Sequence, residues 1–203
     1  WHNKTLWNSI MANYSDIKYN VPLSSSTTGG GSMVLLSTQT ASGSSTISFT
    51  SGIDSTYKEY IFKFTDIHPA TDNTDLTFNG STDSGSNYNV TKTTTMFRAI
   101  HNEAGNDTEL GYDTGGDLAQ STNFQSLIRS IGTDNDQCGV GTLHLFDPSN
   151  TTFVKHFIQT SNSYGSASND YSRNQFFAGY LNTTSAIDAV QFKMASGNID
   201  SGT

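Results

Sequence analysis

Between residues 44 and 78 the chain alternates apolar and polar side chains with a period of two. Ile47 and Phe49 alternate with Thr46, Ser48 and Thr50, and Tyr60, Phe62 and Phe64 alternate with Glu59, Lys63 and Thr65. A ring at every second position turns one face of an extended segment toward a core and leaves the other polar, which is the signature of a half-buried strand. Ser51, Gly52, Asp54 and Ser55 supply a turn between the two runs. Pro69 has no N–H to donate and biases His68 away from helical angles, so the ladder breaks there and resumes at Leu76 and Phe78. The same reading places strands near residues 33–38, 44–50, 58–67, 75–79, 88–97, 141–146, 152–160, 175–181 and 186–194. Many short strands with turn-rich joints predict an all-β chain, an antiparallel β-sandwich or jelly-roll-like domain. Its core is expected to hold Phe49, Tyr60, Phe62, Phe64, Leu76, Phe78, Val190 and Phe192.

Three stretches depart from this pattern. Leu118, Phe124, Leu127, Ile128 and Ile131 show helical spacing, with Ser121 or Thr122 as a cap, so one or two short helices at most are expected; a strand at 127–131 is the alternative. Residues 1–23 carry Trp1, Leu6, Trp7 and Ile10 at three- and four-residue spacing and read as an N-terminal anchoring arm. Residues 24–32 are almost entirely Ser, Thr and Gly, the composition of a tether, which leaves residues 33–203 as the sandwich domain. The hairpin from Gly141 to Gln159, turning at Asp147 and Pro148, is apolar on both faces. A sheet covered on one side alone does not read this way, so its second face is expected to meet a loop, a sheet or another subunit. Phe153 and Phe157 join the arm's Trp1, Leu6, Trp7 and Ile10 as candidate assembly residues.

Composition narrows the chemistry. Apolar residues make up 33% of the 203, yet 12 Phe and 9 Tyr concentrate the apolar area in rings. The net charge is −8 with 10 Lys and Arg spread thinly, so the basic footprint of a nucleic-acid binder is missing. No apolar run approaches the ~20 residues that span a bilayer as a helix, and membrane insertion is not expected. Seven Asn-x-Ser/Thr triplets, beginning at Asn3, Asn13, Asn79, Asn89, Asn106, Asn150 and Asn182, are what a chain rich in Asn, Ser and Thr produces by chance.

No catalytic constellation emerges. Cys138 is the single cysteine, so it forms no intrachain disulfide, and its acidic and amide neighbours offer no base to make it a nucleophile. His2, His68, His101, His144 and His156 form no zinc-enzyme spacing, and a four-residue turn would put His144 and His156 on opposite faces. Neither a Gly-x-Ser-x-Gly elbow nor a phosphate loop occurs. Asp72, Asp75, Asp134 and Asp136 are candidate oxygen ligands for Ca²⁺, without EF-hand spacing. The expectation is a non-enzymatic chain with no cofactor.

Several phrases carry a resemblance: SSTTGGGS, ISFTSGIDSTYKEYIFKF, DIHPATDN, DLAQSTNF, GTLHLFDPSNTTFVKHF and GYLNTTSAIDAVQFKMASGNID. From about Gly30 to Thr203 the chain resembles a β-domain that recurs in virion structural proteins, of the decoration or fibre type, of marine tailed bacteriophages and cyanophages. The resemblance implies a module of the particle surface or tail appendage, assembled in the host cytoplasm, whose partners are other copies of itself and other virion proteins. It supplies no binding residues. In that family the position reached at residues 196–203 leads into a final strand, so a missing last strand is expected here, with an edge left unpaired or completed by another chain. The alternative is a lectin-like module for host-surface glycan, since β-sandwich loops rich in Asn, Asp, Tyr and Ser suit sugar hydroxyls.

Overall fold

The computed structural model describes residues 33–165 and 170–203. The chain falls into two units, Trp1–Leu36 and Ser37–Thr203. Of the first, only Met33 to Leu36 are described, all four exposed and outside any strand. The expected arm and tether, including Trp1, Leu6, Trp7 and Ile10, lie outside the described residues.

Among its described residues the second unit contains twelve strands: β1 (Ala41–Ser44), β2 (Ile47–Phe49), β3 (Glu59–Pro69), β4 (Thr74–Ser81), β5 (Lys92–Asn102), β6 (Thr108–Tyr112), β7 (Gln125–Ile131), β8 (Gly139–Phe146), β9 (Lys155–Gly165), β10 (Tyr171–Leu181), β11 (Ala189–Met194) and β12 (Ile199–Gly202). All pairings are antiparallel. They make a large layer in the order β1-β12-β3-β8-β9-β10-β5-β6 and a smaller one, β7-β4-β11-β2, joined where Ile131 pairs with Gly165. The fold is all-β and sandwich-like, as the alternation predicts.

Aromatic contacts between the layers hold it together. Phe78 on β4 meets Phe157 on β9 edge-on at 5.0 Å, and Phe192 on β11 meets Phe64 and Phe62 on β3 at 5.1 and 5.3 Å. Tyr60, Phe64, Leu76, Phe78, Val190 and Phe192 are buried, and Phe49 and Phe62 pack partly buried against them. Edge-to-face pairs of this kind add about 0.5–1.5 kcal/mol beyond the area they bury.

Tucking β7 under the large sheet leaves one of its backbone edges with no strand partner along most of its length, and side chains from below take that role. Ser161 and Ser163 donate their hydroxyls to the carbonyls of Leu127 and Arg129 at 2.8 and 2.9 Å, while the Arg129 N–H donates to Gln175 Oε1 at 3.0 Å. Buried backbone groups demand such partners. The fully buried Gln175 and Ser163 therefore belong to the fold's architecture.

Several expectations are corrected. Among the described residues there is no helix; Leu127 and Ile128 are both buried because the β4–β7 register slips twice around Leu76. A bulge puts neighbouring residues on one face, and this imitates helical spacing. Residues 33–38 form no strand. Residues 199–202 do, and β12 lies between β1 and β3, so the edge expected to be open there is paired on both sides. The strands β1 and β6 lie outside the predicted set.

Close approach of β5 and β10 requires Gly179, where a Cβ would stand 2.6 Å from both Thr93 O and Thr94 Cγ2. Gly179→Ala is expected to cost about 1–3 kcal/mol as overpacking. Its urea midpoint, compared with that of a Gly111→Ala control whose Cβ meets only the flexible end of Glu109 at 3.4 Å, measures this.

Candidate functional site

The outer face of the large sheet follows from strand parity. In β9 the odd residues, Phe157, Gln159, Ser161 and Ser163, are buried and the even ones, His156, Ile158, Thr160 and Asn162, are exposed. Registry carries this alternation across the sheet. Thr142, Thr160, Phe176, Phe97 and Tyr112 lie side by side in one outward row; Val140, Asn162, Asn174, Ala99 and Leu110 form the next. On the other flank run His144, Ile158, Ala178 and Thr95, then His156, Tyr180 and Thr93.

Two properties single out this face. It exposes large apolar groups: Phe97 is 46% exposed, Tyr112 54%, Ile158 53% and Leu110 77%. Phe97 and Phe176 stack nearly parallel, 4.7 Å between centroids and 10° between planes, so they present one flat platform. Second, no outward position from β8 across β9, β10 and β5 to β6 carries Asp, Glu, Lys or Arg. In a chain with 18 acidic and 10 basic residues, the charge has been kept off this surface. Charge depletion with aromatic enrichment is the composition of an interaction surface.

Where this sheet ends, a shallow cavity of about 390 Å³ opens among His101, Glu103, Asn162, Tyr164, Tyr171 and Ser172. The Tyr171 hydroxyl donates to Asp107 Oδ2 at 2.6 Å. The Tyr164 phenol is pushed up to about 12, chiefly by burial and then by its hydrogen bond with Glu103, so it stays protonated and serves as a donor.

The strongest charges are already engaged between the layers. Asp113 Oδ2 accepts from Arg98 Nη1 at 2.7 Å and Arg129 Nη1 at 2.8 Å. Asp75 accepts from Arg129 Nε at 3.2 Å, Ser126 Oγ at 2.8 Å and the Ser130 N–H at 2.9 Å. Both oxygens of this calcium candidate are thus occupied. Asp72 Oδ1 accepts from the Thr133 N–H at 3.3 Å. Among the described residues no group of three or more His, Cys, Asp or Glu, including Asp134 and Asp136, could hold a metal ion. Burial, and then the nearby Asp66, push the Cys138 thiol up, away from the reactive thiolate.

Other sequence readings are relocated. Phe157 is 1% exposed and belongs to the core, leaving no surface for assembly; Phe153 is 68% exposed, in a loop before β9. The link between β8 and β9 is longer than four residues, pairing Leu145 with Phe157, so His144 and His156 share the outer face. His144 Nδ1 sits 2.6 Å from Glu59 Oε1, and His156 packs edge-on against Tyr180. Neither Phe97, Tyr112, Leu110 nor Phe176 is in the predicted set. Adjacent apolar pairs are the signal for Phe97 and Phe176, as for Ile158: Met96-Phe97, Phe176-Phe177 and Phe157-Ile158 each send one residue inward and its neighbour outward, whereas Leu110 and Tyr112 have no apolar neighbour to announce them.

Comparison of the chain with protein-family models, with curated proteins and with solved structures found no match.

Proposed function

We propose that this chain is a non-enzymatic structural protein of a tailed-bacteriophage virion, a capsid decoration or fibre-type appendage assembled through subunit contacts. The observation that carries the reading is the uncharged, aromatic outer face of the large sheet, which has the composition of a buried interface. The resemblance of residues 30–203 to virion β-domains supplies the address. The acidic chain repels other polyanions, which suits a component outside the nucleic acid it surrounds.

A labelled copy imaged on intact particles is expected to decorate the head or tail at repeated positions. Its absence from purified particles by mass spectrometry would sink the reading.

A second reading, a glycan-binding module, is favoured by the cavity at Tyr164 and Tyr171, where rings and hydroxyl or amide groups converge. A glycan array on which wild type and Tyr164→Ala give the same signal removes it.

A further inference from the structure

We infer that the outer face of β8, β9, β10, β5 and β6 is a two-fold interface between two copies of this chain, with the stacked Phe97 and Phe176 near the axis. The inference rests on the structural reading above and names its first partner.

Charge argues for a second copy. Each chain carries −8, so two copies repel over roughly the ~8 Å Debye length at physiological salt. Two such chains approach with few like-charge juxtapositions across a face whose outward positions carry no Asp, Glu, Lys or Arg, and these five strands offer one, with the carboxylates of Asp117 and Glu59 only at its two margins, bonded to Tyr112 and His144.

Area agrees. Five strands ~4.8 Å apart, running ~3.3 Å per residue, present a face on the order of 600–700 Å². Pairing two such faces buries roughly 1,200–1,400 Å² in total, inside the standard range of stable interfaces. Composition follows the same layout: Phe176, Phe97, Tyr112 and Ile158 form a central apolar band, flanked by the amides Asn162 and Asn174 and by Thr95. An apolar centre with a polar rim is interface anatomy. A sugar instead needs several hydrogen-bonding groups converging on its ring platform; here the row of the stacked rings offers only the hydroxyls of Thr142 and Thr160 and a Tyr112 hydroxyl already donated to Asp117, and the amides stand a row away. A face used against itself is also self-complementary, as a two-fold requires.

Light scattering after size-exclusion chromatography of the full chain, over a concentration series, tests this. Wild type is expected at about twice its 21.9 kDa chain mass. Phe97→Glu should shift to the single-chain mass while keeping a cooperative thermal melt, lowered by the loss of the partner copy and of the stack on Phe176. Phe153→Ser, exposed but off the face, should stay dimeric. If Phe97→Glu misfolds, Leu110→Lys at the edge of the same face, 77% exposed, reports instead through a weakened dimer.

A wild type that stays at 21.9 kDa throughout overturns the inference, as does a dimer indifferent to both face variants, which would assign assembly to another surface. A monomer whose binding to a neutral polysaccharide is lost in Phe97→Glu gives the face to glycan. A monomer found on purified particles defeats the two-fold and leaves the virion reading standing; a face-dependent dimer absent from particles does the reverse.

Discussion

Raising the pH from 7 toward 10.5 is expected to stabilise this domain, and the cause is Lys92. The residue is wholly buried, its Nζ donating to the Val90 carbonyl at 2.9 Å. Burial pushes its ammonium down to about 7 from an ordinary 10.5. Between those values the unfolded chain binds a proton that the folded chain does not, so unfolding becomes harder as pH rises through the window. Below pH 7 both states are charged and the full penalty of burying the ammonium applies; above 10.5 it is gone. The difference is on the order of 5 kcal/mol across the window. Lys155, whose Nζ donates to the carbonyls of Phe153 and Thr183, adds in the same direction, since burial lowers it too, although Asp147 partly offsets this. Urea midpoints measured from pH 6 to 10 should climb in wild type and climb much less in Lys92→Met. Equal slopes for the two proteins would show that Lys92 is not the source.

Arg129→Met is expected to lower stability by about 3 kcal/mol, the lower end of the range for removing one partner from a buried ion pair, because Arg129 and its partners keep some contact with solvent. The guanidinium bridges Asp75 on β4 to Asp113 beyond β6 and so ties the two layers at that end. Without it Asp75 keeps two hydrogen bonds but no paired cation, and Asp113 keeps its pair with Arg98, while the charge of Arg173 still acts on both carboxylates from nearby. Adding Asp75→Asn to Arg129→Met should recover part of the loss, because an uncharged amide is cheaper to leave in that setting than a carboxylate. A denaturant series on the single and double variants measures the coupling; strict additivity would mean that the pair exerts no net attraction.

Legibility in the sequence followed burial pattern. The strands β3, β4, β8, β10 and β11 each place apolar side chains on the core face, and their alternation announces them. By contrast Ala-Ser-Gly-Ser at β1 and Ile-Asp-Ser-Gly at β12 carry almost no apolar pattern; they are strands because neighbours offer backbone hydrogen bonds. The β6 strand is exposed along nearly its whole length and exists through its pairing with β5. At β7 the bulges beside Leu76 defeat a period-two reading.

The candidate site was half legible. The two-faced apolarity of the β8–β9 hairpin put apolar side chains on both faces, and Ile158 does stand outward, on a face that the described residues leave exposed. Which ring faces out could not be read from the hairpin alone, because Phe153 and Phe157 carry the same side chain and differ only in where β9 begins.

The amino-acid order by itself determined that this is a β-protein with an aromatic core, because period-two spacing of rings leaves few other ways to bury them. It also set the net charge of −8 and the single cysteine. The tertiary structure alone decided that Phe97, Phe176 and Tyr112 stand in one row, since they lie on three strands and meet only through cross-strand register. It likewise decided that β5, β6, β8, β9 and β10 turn one uncharged face outward together. Register is fixed by what the opposite face must bury, Phe177 and Met96 beneath Phe176 and Phe97, so the uncharged surface left outward is a consequence of the core.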